Sequence, residues 1–378
     1  MAIVEAREYC FEFTWVILIS LLLKNPDDMI KLSICIPTYN RALLLEKTIS
    51  NLVNQITKID TQVEIIISDN ASTDNTREIS KYYEKNYCFV KYFKNESNIG
   101  FDRNVDKSIK WAHGDYVWIV SDDDYYEDCV IAKIINVVNE VSCLSYLFLN
   151  YGIFHNDYRD LITLSRSMSK HNLITNNKDD FYLNTCFANT LVSSNVFKRS
   201  EWLRTDTSKY YNSGWIHVYV ARDTLMSDAK AYVFKDILIR QAWDEPITQR
   251  KKARLRIGEE NHDAYMMYHL KFADFAMTMV DYGYSMSVRS MGLNIAKHNN
   301  LRQIVFYKLS QKKYSLVESI EYYELMTKYF KNYLTFWLVD IFVLALPPLC
   351  VRIMVKLFSP IYLVCRSIMN GTKNEAHF

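Results

Sequence analysis

Short apolar runs alternate with amphipathic stretches from position 32 onward. Leu32–Ile36 (LSICI), Val63–Ile67 (VEIII), Val90–Phe93 and Tyr116–Val120 (YVWIV) read as strands, because an apolar run of this length with little alternation suits a strand buried on both faces. Between them, Leu43, Leu44, Ile49, Leu52, Val53 and Ile56 follow helical spacing, and Thr76–Lys85 and Phe101–His113 read as two further helices. Ser72, Thr73 and Asp74 offer caps for the second helix. This order predicts an α/β domain, a mostly parallel sheet with right-handed crossovers and helices on its faces. Such sheets bind ligands beyond the carboxyl ends of their strands.

Polar residues gather at those ends. The first strand delivers Pro37, Thr38, Tyr39, Asn40 and Arg41, the second Asp69, and the fourth Ser121, Asp122, Asp123 and Asp124. Adjacent carboxylates repel and raise each other's pKa unless a cation compensates. Mg²⁺ or Mn²⁺ bridging to a phosphate would do so, since these hard ions favour one or two carboxylates plus phosphate oxygens. The plain alternative is an acidic surface turn before a helix at Cys129. Asp69 can accept a hydrogen bond from the N3–H of uracil or thymine or from the amine of cytosine, Tyr39 can lie against the base, and Arg103 can neutralise a pyrophosphate. Neither GxGxxG nor GxxxxGK[ST] occurs, so dinucleotide and P-loop readings lose their main support.

PTYNR, ISDNASTD, NESNIGFDRN and GDYVWIVSDDD occur in that order, and over Lys31–Asp128 the chain resembles the family 2 glycosyltransferases. That resemblance implies the GT-A fold, Rossmann-like, and a nucleotide held by Pro37, Thr38, Tyr39, Arg41, Asp69, Asn98, Arg103 and Asp122. It implies Asp123 and Asp124 as metal ligands, for Mn²⁺ or Mg²⁺ on the donor diphosphate. The family's usual first acid of the cluster is replaced here by Ser121. Further on, ANTLVSSNVFKRSEW (188–202) and GWIHV (214–218) are similar to the O-antigen, abequosyltransferase-like branch. Many members carry an acidic pair where Ile216 and His217 stand. His217 is then a candidate base toward an acceptor hydroxyl, with Asp223 or a donor phosphate as alternatives; a lone His amid Trp215, Ile216, Val218 and Tyr219 also reads as a core residue.

Composition narrows the class. The 378 residues are 49% hydrophobic with a formal net charge of +2, which suits a full core and gives no footprint for nucleic acid. Eight cysteines without a CxxC read as reduced thiols. Residues 1–28 read as an extension outside the fold, although Phe13–Leu23 is apolar; 29–245 as the catalytic domain, with a nucleotide half (31–128) and an acceptor half (129–245); 246–332 as a helical appendage. The basic run Arg250–Arg256 reads as a solvated face, a lid or a pyrophosphate site. Tyr333–Val351 is nearly unbroken apolar sequence, but Asp340 at its centre costs roughly 2.5 to 3.5 kcal/mol in a bilayer and Pro347 and Pro348 break the helix. With Arg352, Lys356 and Arg366 following, residues 333–378 read as a segment lying in or re-entering the cytoplasmic leaflet, and a buried core helix is the alternative. The expected activity is inverting transfer of a sugar from UDP, CDP or dTDP to a lipid-linked oligosaccharide, by an enzyme peripheral on the inner face of a bacterial membrane and making surface polysaccharide. The competing readings are a sugar nucleotidyltransferase and a non-catalytic nucleotide-sugar-binding module.

Overall fold

The computed structural model describes residues 30–59, 62–155, 158–227, 229–242, 263–310, 316–351 and 353–354. The expected N-terminal extension, the run Arg250–Arg256 and the basic residues Arg352, Lys356 and Arg366 lie outside the described residues. Residues up to 242 form one compact unit, and those from 263 onward a second.

In the first unit β1 (Leu32–Thr38), β2 (Val63–Asp69), β3 (Val90–Lys94) and β4 (Tyr116–Ile119) alternate with α1 (Ala42–Ile56), α2 (Thr76–Asn86) and α3 (Phe101–Trp111). β1 and β2 are buried at every position, which is why they carry runs of Ile rather than alternation. α1 turns Leu45, Ile49, Leu52, Val53 and Ile56 inward. Below the sheet, Gly114 backs onto β1 so closely that a Cβ would lie 2.7 Å from both the Ser33 nitrogen and its hydroxyl. That hydroxyl donates to Glu64 at 2.6 Å and accepts from the Gly114 amide at 2.8 Å.

The chain continues through β5 (Tyr125–Tyr126), α4 (Val130–Glu140), β6 (Leu144–Phe148), β7 (Tyr151–Phe154), β8 (Leu161–Leu164), β9 (Leu173–Thr175) and α5 (Lys178–Thr185). Then come β10 (Asn195–Lys198), α6 (Arg199–Arg204), α7 (Ile216–Leu225), β11 (Lys230–Val233) and β12 (Ile239–Ala242). The main sheet runs β3-β2-β1-β4-β10-β6-β11-β9, and a smaller one β5-β12-β7-β8. β1 to β4 are parallel, whereas β10 enters antiparallel between β4 and β6. The architecture is the expected helix-flanked, mostly parallel sheet. Cys35, Cys88, Cys129, Cys143, Cys186 and Cys350 are free thiols.

The second unit is helical: α8 (Asp263–Thr278), α9 (Met286–Ser310), α10 (Leu316–Phe330) and, after a π-helical turn at Phe336–Asp340, α11 (Ile341–Ala345). Asp340 is buried, with its Oδ2 accepting from Lys297 at 2.9 Å and from Asn300 at 2.5 Å. The acid that interrupts the apolar stretch is therefore paired inside the unit. Leu334, Trp337, Leu338 and Phe342 stay exposed on the same segment. No helix among the described residues is long and apolar enough to cross a membrane.

Candidate active site

The carboxyl ends of β1, β2 and β4 meet at one side chain. Thr38 is in register with Asp69, and its hydroxyl donates to Asp122 Oδ2 at 2.7 Å. Pro37, one residue back, is in register with Ser68, and Tyr39, one on, is half-buried. Asn40 then bends the chain with φ +53°, a left-handed conformation that Asn adopts more readily than most residues. Its amide donates to Ser72 Oγ at 2.9 Å, and its Oδ1 accepts from the Thr73 amide at 2.7 Å. The bend returns Arg41 over the end of β4, where Nη1 donates to Asp122 Oδ1 and Asp123 Oδ2, each at 2.8 Å.

The three acids diverge. Asp123 is at the mouth, its side chain 41% exposed, and its Oδ1 accepts from Ser121 Oγ. Asp122 lies beneath, 4% exposed. Asp124 turns inward and accepts from Ser193 Oγ at 2.6 Å, while the same hydroxyl accepts from the Ser121 amide at 3.0 Å. Burial pushes the Asp122 and Asp124 carboxyls up; at Asp122 the Arg41 guanidinium opposes this. The Asp122 charge, in turn, holds Arg41 more firmly protonated. Ser193 has no periodic signal in sequence, and its contacts arise only when the turn before β10 lands on the acidic loop.

Asp69 is fully buried, with Oδ1 accepting from the Ser72 amide and Oδ2 from Tyr92 Oη, each at 2.7 Å. A pyrimidine would have to add to an oxygen that already accepts one bond. Asn98 joins this edge, accepting from Asn70 Nδ2 at 2.8 Å and the Gly100 amide at 2.9 Å. Arg103, in the first turn of α3, donates to Asn212 Oδ1 at 2.7 Å with its guanidinium 4.7 Å above the Tyr211 ring centre. Tyr211 is fixed by Asp106, which sequence reading missed. That buried carboxylate accepts from Tyr211 Oη at 2.6 Å, Trp202 Nε1 at 2.9 Å and Thr207 Oγ1 at 3.0 Å, and pairs with Lys110 at 2.7 Å. Burial alone would raise its pKa, but these donors outweigh it and hold it below the usual range.

The candidate bases sit on α7. His217 is 1% exposed, its Nε2 3.2 Å from the Thr190 carbonyl oxygen and its Nδ1 without a hydrogen-bond partner. The ring is enclosed in this structure. Asp223 is 14% exposed, paired with Arg222 at 2.9 Å and Lys209 at 3.1 Å, and accepts from Tyr210 Oη. Burial lowers the His217 pKa to about 4. The unfolded chain therefore binds more protons than the fold between that value and about 6.5. The stability is complete above the upper value and falls away as pH drops through the lower, by about 3 kcal/mol. We expect His217→Leu to flatten this acid limb in urea titrations at pH 7 and pH 4.5, and an unaltered limb would show that another group titrates.

Asp123 supplies hard oxygen donors at an open mouth, with Asp122 buried beneath it, whereas Asp124, expected as the second metal ligand, turns inward onto Ser193; Asp123 with Asp122 is the kind of partial shell that Mg²⁺ or Mn²⁺ completes with phosphate oxygens. No group of three or more His, Cys, Asp or Glu among the described residues could hold a metal alone. The site fits a cation that arrives with a phosphorylated ligand. Beside it a cavity of about 1090 Å³ reaches from Asp123 past Asn51, Tyr82, Tyr125 and Tyr158.

The helix-flanked sheet carries its acidic loop at the end of β4. Residues 33–200 match the model of glycosyl transferase family 2. The abequosyltransferase RfbV of Salmonella typhimurium is 30% identical over 59% of this chain and 70% of its own length. The GalNAc(5)-diNAcBac-PP-undecaprenol beta-1,3-glucosyltransferase of Campylobacter jejuni is 34% identical over 30% of this chain and 36% of its own. The crystal structure of S. aureus TarS 1-349 superposes with a TM-score of 0.56 at 15% identity, covering 80% of this chain and 82% of that one. The chain belongs to glycosyl transferase family 2.

Proposed function

We propose that the protein transfers a sugar, with inversion, from a pyrimidine nucleoside diphosphate (UDP, CDP or dTDP) to a hydroxyl of a lipid-linked glycan in bacterial surface-polysaccharide synthesis. The observation that carries this reading is the junction of Thr38, Arg41, Asp69, Asp122 and Asp123 at adjoining strand ends. The similarity to RfbV and to an undecaprenol-diphosphate glucosyltransferase supports the class of acceptor. The cavity beside Asp123 offers tyrosine faces and an amide, surfaces that suit sugar rings.

In this mechanism the acceptor oxygen attacks the anomeric carbon as the bond from that carbon to the β-phosphate oxygen breaks, and the electron pair leaves with the diphosphate. Asp123 and Asp122 would hold a divalent cation, which when bound supplies positive charge against the departing diphosphate. Arg103, on its Tyr211 platform, adds charge from α3. Tyr39 lies against the base, and Asn98 with Asp69 shapes the β2 edge beneath it. The hydroxyl proton needs a destination. With His217 enclosed and Asp223 held by cations, a phosphate oxygen of the leaving diphosphate is the better-supported acceptor.

Membrane attachment belongs to the same proposal. Leu334, Trp337, Leu338 and Phe342 present an apolar face, and Arg352, Lys356 and Arg366 follow in sequence. That combination suits the inner, anionic leaflet of the cytoplasmic membrane. The donor is tested by thermal shift with UDP, CDP, dTDP and GDP, each with and without Mn²⁺. A pyrimidine nucleotide at a hundred times its Kd should stabilise the fold by about 2.7 kcal/mol, and only with metal. The absence of any metal-dependent response would overturn the donor assignment.

A further inference from the structure

We propose that Arg41 is a built-in counter-ion that occupies the cation position of the acidic loop and must yield when metal and donor bind. This rests on the metal-assisted reading above and adds to it a role for one side chain. Every carboxylate oxygen of the pair already accepts a hydrogen bond from the protein. Asp122 accepts from Arg41 and Thr38, and Asp123 from Arg41 and Ser121. A single nitrogen, Arg41 Nη1, bridges the two acids at 2.8 Å each, between the two groups that a divalent ion would share. A hard cation cannot approach both oxygens while a guanidinium stands between them, because the charges repel and the lone pairs facing the gap are in use.

The arrangement can also release. The Arg41 side chain is 25% exposed, so it can leave toward solvent without crossing the core. Its backbone is fixed independently: its carbonyl accepts from the Leu44 and Leu45 amides at 3.0 and 2.9 Å, opening α1, and Asn40 is tied to Ser72 and Thr73. Only the side chain has to move. A diphosphate entering with its metal exchanges partners with the protein: the cation takes the carboxylates and the guanidinium takes phosphate oxygens, for which its planar fork is suited. Metal alone offers Arg41 no new partner, so metal and diphosphate bind together far better than either does singly.

The test is Mn²⁺ binding without nucleotide, followed by the EPR signal of the free ion. The wild-type chain should bind weakly and Arg41→Gln about tenfold or more tighter. Arg41→Lys, whose point charge cannot span both acids, should fall between. Equal or weaker binding by Arg41→Gln would overturn the proposal. Should that variant fail to fold, Arg41→Lys and the wild-type protein still decide it. In ¹⁵N-arginine NMR, signals assigned to Arg41 should shift when inorganic pyrophosphate and Mg²⁺ are added together and stay in place with Mg²⁺ alone. Signals that respond to Mg²⁺ alone, or to neither addition, count against it. A positive nucleotide panel with no gain of metal affinity in Arg41→Gln refutes the counter-ion role alone, whereas a panel with no metal-dependent response refutes the metal-assisted reading itself.

Discussion

Asparagine at position 123 is expected to lower kcat for sugar transfer by about 10² to 10³-fold while leaving the fold intact. The replacement keeps the shape of the side chain and removes the one acidic group of the loop that is substantially open to solvent. Its cost to stability is small: the pair with Arg41 is partly exposed, and such pairs contribute about 0 to 1 kcal/mol. Asp122→Asn would be less informative, because that carboxylate is buried between Thr38 and Arg41 and its loss mixes folding with chemistry. Initial rates of nucleoside diphosphate release, set beside calorimetric unfolding, separate the two effects. Wild-type rates in Asp123→Asn would remove this residue from the transfer.

A second large effect is expected in the helical unit. Leu338 and Phe342, 65% and 57% exposed, lie one turn apart, and neither belongs to the buried set of its segment. Replacing both with Glu should leave circular dichroism unchanged and cut co-sedimentation with phosphatidylglycerol-containing vesicles by about a hundredfold, since each side chain contributes about 1.5 to 3 kcal/mol when fully withdrawn from water and partial insertion realises part of that. Asp340 does not argue against attachment, because it is buried inside the unit with Lys297 and Asn300 both donating to its Oδ2. Equal sedimentation of the double variant and the parent chain would show that this face does not meet the membrane.

The parts legible in sequence were those written locally. The four parallel strands announce themselves because burial on both faces demands consecutive apolar residues, and the acids stand out because they follow directly on β4. The small sheet was not legible: β5 has only two residues and its partner β12 is over a hundred positions away. Asp106 sits on α3 among residues of ordinary helical pattern, and its role appears only when Tyr211, Trp202 and Thr207 fold onto it. His217 shows the limit from the other side. A motif proposed its chemistry while its apolar neighbours Trp215, Ile216, Val218 and Tyr219 also read as core, and only the fold, which buries α7 around nearly its whole circumference, shows where the ring lies.

The antiparallel strand between β4 and β6 has a consequence for synthesis. Val117 and Trp118 gain their second neighbour from Phe197 and Val196, some eighty residues downstream. A nascent chain leaving the ribosome therefore carries an unpaired apolar edge beside the acidic loop until β10 has emerged, the kind of edge that invites aggregation. The four parallel strands come first in order of translation, yet their sheet is completed only by the residues that follow.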